Sequence, residues 1–440
     1  MDAVVMTYRE TEAARAGARR ERAIILGAEH PRALAFVQSL GRAGIEVLVV
    51  HYSKSPLSFY SRYAARAFTI EPTDEAALRL LDELAPGGGM IVATNDQYMV
   101  FAAKHYDALA RNYILTTPPW ETLRTLTDLS RFYPAARACG LGTPEFFKPG
   151  DEREMCEYIA ALDFRDSYLL RTPPATAPAD AATGRFTKVA GDSPAEAIDN
   201  SLEIYRRLGE FPLIVKVVPG EADRCIGVSM VVDRSGEVSA LHAIRRLKLF
   251  TYSSGGRFLH PYSLGSNVFC ESAHDDEAAA AATRLVRRMG YFGPITLEFR
   301  RDSSDGKLVL IKADPRPVRA TALSRALGLD VPLALYRAFT GGRAGAAPAY
   351  ADGVAWLWVS QYLSSLAANR SNRPVARELL ALALKFRSIK AVANYSSGDP
   401  LPLLVELKRW LFAFAARRLR RLRRRSRDWR PDAPQAESVP

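Results

Sequence analysis

Between residues 22 and 120 the chain alternates short apolar runs with helix-patterned segments, and this alternation constrains the fold more than any other feature. AIILGAE (23–29) has the composition of a strand and breaks at Gly27. PRALAFVQSLGRAG follows with apolar residues three and four apart, the period of a helix. EVLVVHY (46–52), FTI (68–70) and MIVATNDQY (90–98) repeat the pattern. Strands alternating with helices argue for a parallel sheet covered by helices on both faces. Residues 1–21 carry charge throughout, contain no apolar core of the signal-peptide kind, and are expected to be disordered.

Past residue 120 the rhythm changes. WETLRTLTDLSRFYPAARACGLGTPEFF is helix-patterned up to Gly140, and SYLLRTPP (167–174) is a short strand. It runs into TPPATAPADAATG, whose alanine, proline and threonine suit a mobile loop. FPLIVKVVPG (211–220) is a further strand. CIGVSMVVD and EVSALHAIRRLKLF pair as a hairpin around Arg234–Ser235–Gly236. DDEAAAAATRLVRRMGY (275–291) is an amphipathic helix, and GPITLEFRRDSSDGKLVLIKADPRP folds back at Asp305–Gly306, a step suited to a tight turn. Residues 324–425 read as mostly helical.

The four cysteines are far apart, which argues against a zinc site or a disulfide framework and fits a reducing compartment. The net charge of +12 is uneven: Lys408 to Arg430 hold 11 Lys/Arg against Asp428, a net +10, leaving +2 for the rest. A partner drawn by positive charge would therefore meet the tail. Leu404, Leu407, Leu411, Phe414, Ala415, Leu419 and Leu422 form one stripe at helical spacing beside these arginines. Residues 403–430 thus read either as an amphipathic helix lying on an anionic membrane surface or as a solvated charged tail. No apolar run reaches the roughly 18 residues of a membrane span. The expected location is the cytoplasm, either free or peripheral at the inner membrane face. The body carries no basic face or module of the nucleic-acid-binding kind.

In order and wording, five stretches resemble the ATP-grasp superfamily, and most closely its uncharacterised carboxylate–amine ligase type from bacterial biosynthetic clusters. They are ILGAEHPRALAFVQSLGRAGIEVLVV, SPLSFYSRYAARAF, MIVATNDQYMV with its polar pair Asn95–Asp96, ACGLGTPEFF, and MGYFGPITLEFRRDSSDGKLVLIKADPRP. The last is the most specific, resembling the family hairpin G-x-x-x-V-E-F…D…G…L-x-E-I-N-P-R. The resemblance covers about residues 22–345. It implies an α/β pre-domain (22–120), an ATP-grasp domain of two lobes (121–345), a helical extension (346–402) and the basic tail (403–440). The chemistry it implies joins a carboxylate to an amine or thiol through an acyl-phosphate, with ATP and magnesium as cofactors.

Carried over position by position, the resemblance implies a site short of its usual charges. The first phosphate lysine falls on Leu129 and the second on Arg171. The hinge acid that would accept from adenine falls on Lys216, which cannot accept. Glu298 keeps the first magnesium carboxylate, whereas Lys312 stands at the second. The asparagine of E-I-N-P-R is Asp314, and its arginine is kept as Arg316. Cofactor-binding groups are thus Arg171, Lys216 and Lys312, metal-binding groups Glu298 and Asp314, and catalytic groups Arg316 and Arg245. Arg245 shares HAIRRLKLF with His242 and Arg246, on a strand the family places near the acceptor. A lysine at a metal-ligand position repels the cation it should help hold, so Lys312 either disables the metal site or contacts phosphate in its place. Two readings follow: a degenerate ATP-grasp protein in an accessory or regulatory role, or an active carboxylate–amine ligase with a rebuilt site.

Overall fold

The computed structural model describes residues 6–8, 21–172, 187–250, 266–342, 349–368 and 375–428, with the side chains of the last helix through Ala416. Three sheets organise them. The first has the order β1-β4-β3-β2-β5-β6, with β1 Met6–Tyr8, β2 Arg22–Leu26, β3 Glu46–His51, β4 Arg66–Thr69, β5 Met90–Ala93 and β6 Ile114–Leu115. Strands β2 to β6 run parallel. The central strands are buried on both faces, which is why they read as unbroken apolar runs. Strand β1 adds antiparallel to β4, so residues 6–8 depart from the disorder expected of residues 1–21. A three-residue strand carries too little pattern to be seen in sequence.

Gly27 ends β2 at φ +90°, and a Cβ there would come within 2.9 Å of Thr94 Oγ1. The bare backbone lets the ends of β2 and β5 close on each other. Asn95 then caps the helix Asp96–Lys104 by accepting from the Tyr98 amide at 2.9 Å. The polar pair seen in sequence is thus a cap followed by a carboxylate at a helix start.

The second sheet is antiparallel in the order β7-β10-β8-β9, with β7 Phe146–Phe147, β8 Tyr168–Arg171, β9 Thr187–Val189 and β10 Leu213–Lys216. Helices Glu152–Ala160 and Pro194–Leu208 cover one face of it through Met155, Ile159, Ala197 and Ile204. The expected mobile loop falls mainly on 173–186, outside the described residues.

The third sheet runs β15-β14-β11-β12-β13-β16-β17. Its strands are β11 Cys225–Val232, β12 Val238–Phe250, β13 Ser266–Ser272, β14 Gly293–Arg301, β15 Leu308–Asp314, β16 Ala355–Leu357 and β17 Ile389–Val392. The turns stand where the sequence puts them, with Gly236 at φ +87° and Gly306 at φ +74°. Helix Asp276–Arg288 lays Ala278, Ala281, Ala282 and Leu285 against Val228, Met230, Leu297 and Phe299. Its N-cap is Asp275, and Arg287 and Arg288 sit in its last turn, both favourable with the helix dipole.

Residues 346–402 are not simply a helical extension. They contribute β16 and β17, which lengthen the third sheet beyond β13. Three- and four-residue edge strands between helices leave almost no periodic signal. Carboxylates then lock the C-terminal segment to the body. Asp399 accepts from Gln38 (3.0 Å) and Ser61 (2.5 Å). Glu406, in the helix Leu401–Asp428, accepts from Trp358 (2.5 Å), Ser360 (2.6 Å) and Asn394 (2.9 Å). Glu406→Ala leaves three donors without their acceptor, so it is expected to lower stability by about 2–4 kcal/mol in urea denaturation. An unchanged midpoint would show that water replaces the carboxylate there.

Candidate functional site

Side chains of a strand alternate between faces, and the register decides which of them meet. Glu298 lies opposite Gly227 on one side and Lys312 on the other, Gly227 lies opposite Ile244, and Cys225 lies opposite Arg300. One face of the third sheet therefore carries Arg246, Cys225, Glu298, Arg300, Lys312 and Asp314. The other face carries Val228, Met230, Leu297 and Phe299 into the core.

On the polar face the charges are paired in a chain. Lys312 Nζ lies 3.2 Å from Glu298 Oε1 and 3.3 Å from Asp314 Oδ2, so one ammonium sits between two carboxylates. Arg246 donates to Glu298 from its other side. Arg316 Nη2 lies 3.2 Å from Asp314, and its Nε lies 2.8 Å from Asp96 of the first domain. Burial opposes charge on Glu298, yet Arg246 and Lys312 together hold its carboxyl below the usual range. A plain pairing of Glu298 with Arg300 along its own strand does not form. Arg300 instead donates to Cys225 Sγ from Nε at 3.2 Å and Nη2 at 3.0 Å, and to the Val218 carbonyl at 2.9 Å.

The second sheet supplies the opposite wall. Arg171 and Lys216 line one cavity together with Arg246, Glu298, Lys312 and Tyr133. Lys216 is held by Asp166 at 2.6 Å, a hydrogen bond that raises its pKa. The described walls enclose about 140 Å³. That is near the roughly 150 Å³ that holds one benzene and short of the roughly 300–1,000 Å³ of an ordinary ligand pocket. A phosphate group fits this space.

Of the residues expected from sequence, Arg171, Lys216, Glu298 and Lys312 meet at this cavity, and Asp314 and Arg316 continue it toward the first domain. Arg245 does not join them. It stands opposite Ile226 and Glu271, on the other face, and pairs with Glu271 at 2.6 Å. Its neighbour Arg246 is the residue that reaches Glu298. The choice between two adjacent arginines rests on face parity, and parity follows from a register that the strand's own sequence does not encode. The helix start expected to bear the first phosphate lysine has Leu129 packed on the core.

Toward the first domain the cluster stays cation-rich. Arg32, buried in the helix Pro31–Arg42, donates to the Pro317 carbonyl at 2.9 Å. Burial pushes His30 down to about 2, with Arg32, Arg319 and Arg316 adding to the effect. Burial alone pushes His242 down to about 4, and neither of its ring nitrogens has a hydrogen-bond partner among the described residues.

No family model matches the chain, and no curated protein matches it. Solved structures do. Biotin carboxylase from Campylobacter jejuni superposes with a TM-score of 0.56 at 14% identity, over 77% of this chain and 75% of that one. N5-carboxyaminoimidazole ribonucleotide synthetase from Thermus thermophilus gives 0.53 at 20% identity, over 75% and 81%. The biotin carboxylase domain of Hydrogenobacter thermophilus 2-oxoglutarate carboxylase, solved with MgADP, ADP and bicarbonate, gives 0.54 at 15% identity, over 73% and 70%. The chain has the ATP-grasp fold.

Within this ATP-grasp fold the residues do not suit a magnesium ion. Magnesium wants near-octahedral oxygen ligands. On a nucleotide it is usually held by one or two protein carboxylates together with phosphates and water, so the state of those acids decides the fit. Glu298 and Asp314, the two expected ligands, both turn to the Lys312 ammonium. A divalent cation brought between them would meet a fixed positive charge.

Proposed function

We propose that this ATP-grasp protein has reduced or lost ligase activity and acts as an accessory or regulatory component of a bacterial biosynthetic pathway. The observation that carries the reading is the Lys312 ammonium between Glu298 and Asp314. The two carboxylates are already neutralised, so they have little to offer a metal. A bound phosphate would face Arg171, Arg246 and Lys312 directly. Lys216 adds to the reading, because a protonated amine tied to Asp166 offers no acceptor to adenine.

The runner-up is an active ATP-dependent ligase, which would join carboxylate and amine small molecules through an acyl-phosphate. Arg171 and Arg246 on facing walls of the cavity favour it, since both suit phosphate oxygens. Residues 403–430 belong to the first reading as an anchor to an anionic membrane surface. No helix among the described residues is long and apolar enough to cross a membrane.

Thermal unfolding with and without nucleotide separates the two. The proposal expects no more than a small rise in Tm with millimolar ATP, equal with and without magnesium. A rise of several degrees that requires magnesium would favour the active ligase.

A further inference from the structure

Helix Val375–Leu384 packs Leu382 on the core but turns its one acid inward and its other leucines outward. A surface helix normally buries its apolar stripe and turns its charges to water. Here Glu378 turns inward to Lys248 at 2.8 Å, and Lys385, just past the helix, turns inward to the buried Glu271 at 2.6 Å. Tyr362 of the helix Val359–Ala368 donates to the Glu378 carbonyl at 3.1 Å. These polar contacts hold the helix to β12 and β13. The outward side is apolar: Val375, Leu379, Leu380, Leu384 and Phe386 are exposed, the last two by 77% and 73%.

Eleven of the thirteen exposed large apolar or aromatic side chains among the described residues lie between Val375 and Phe414. On helix Val375–Leu384 itself, Val375, Leu379, Leu380 and Leu384 recur four and five residues apart, so their exposure forms one patch and is not scattered, which is the mark of an interaction surface. Leu404, Leu411, Phe412 and Phe414 of the terminal helix are exposed as well. That helix touches the same bridging helix Val359–Ala368, through Trp410 Nε1 donating to Ser364 Oγ at 2.8 Å. Tyr362 and Ser364 stand two positions apart, so the two segments pack on different sides of the same helix.

The charges around the patch choose its occupant. Arg377, Arg387 and Lys390 are exposed at its rim, and no exposed acid lies between residues 375 and 390, since Glu378 is paired inward. Two copies pressed together by this face would bring cations against cations, which costs association energy. An anionic lipid surface would satisfy both the apolar centre and the basic rim.

We propose that helix Val375–Leu384 with Phe386 is a second membrane-contacting element, docking on an anionic bilayer that the basic terminal helix also engages. The proposal rests on the anchoring role given above to residues 403–430. It adds that apolar insertion from a folded part of the protein supplies binding that charge alone does not.

The test uses the full chain with phosphatidylcholine vesicles containing one-third phosphatidylglycerol. It compares the chain with Leu380→Gln/Leu384→Gln/Phe386→Gln and with a chain ending at Ala416, which keeps the Glu406 network intact. All three side chains are exposed, so the triple variant should match the parent in its unfolding midpoint. It should partition onto vesicles at least about tenfold more weakly. The chain ending at Ala416 should keep a weaker binding that depends much less on salt than the parent's, because apolar burial is not screened and only Arg377, Arg387, Lys390 and the first basic residues of the tail remain to be screened. Equal partitioning of parent and triple variant would overturn the proposal and leave the tail's role standing. No vesicle binding by the parent would overturn both. A parent that is dimeric without lipid, made monomeric by the triple substitution, would assign the face to self-association and overturn the lipid assignment.

Discussion

Glu298→Ala is expected to lower the unfolding free energy at pH 7 by about 3 kcal/mol or more, because it strips the shared counter-ion from two partly buried cations. Arg246 donates to Glu298, and Lys312 lies 3.2 Å from it. Asp314 still supports Lys312 after the substitution, whereas Arg246 loses the carboxylate that raises its own pKa against burial. The folded carboxyl of Glu298 sits below its ordinary range. Its contribution is therefore fully present above the unfolded value of about 4.3 and fades as pH falls through the folded value. Urea denaturation should show the gap between parent and variant shrinking in acid below about pH 4. A gap under about 0.5 kcal/mol at pH 7 would mean that water already screens both cations.

Lys312→Leu is expected to show a penalty that also shrinks in acid, but in a higher pH window, and to create a cation site. Leucine keeps much of the volume and removes the ammonium that lies 3.2 Å and 3.3 Å from Glu298 and Asp314. Arg246 and Arg316 remain on the outer sides of the two acids, so the loss at pH 7 should be moderate, about 2 kcal/mol. Two carboxylates that face each other raise one another's pKa. A raised folded pKa makes the penalty largest above that value and relieves it as pH falls, since the folded state then takes up a proton the unfolded state does not hold. Thermal unfolding at pH 5 and pH 7 reads this directly. Added magnesium should stabilise the variant and leave the parent unchanged, by the linkage of any ligand that binds only the folded state. If magnesium stabilises neither protein, the acids do not converge on one cation position.

Much of the fold was legible because its signals are local. The parallel sheet announced itself in AIILGAE and EVLVVHY, and the long hairpins in their Gly236 and Gly306 turns. What was not legible depends on pairing between distant segments. Arg245 and Arg246 are indistinguishable in HAIRRLKLF until β12 is set against β11 and β13, where irregularities occur after Arg246. Lys216 interrupts the apolar run LIVKVV, and the partner that accommodates it, Asp166, lies on a different segment just before β8. β16 and β17 are too short to carry a period and exist because β13 offers an edge. The outward leucines of helix Val375–Leu384 were hidden for a related reason. They resemble those of any buried helix, and only the positions of Lys248 and Glu271 turn them outward.

The central claim is that Lys312 occupies the cation position between Glu298 and Asp314, so that any nucleotide binds weakly and without help from a metal. Isothermal titration of the full chain with ATP, with and without magnesium, tests it most directly. The account predicts a dissociation constant weaker than about 1 mM in both cases, roughly 4 kcal/mol short of a micromolar site. A micromolar constant that appears only with magnesium would contradict it.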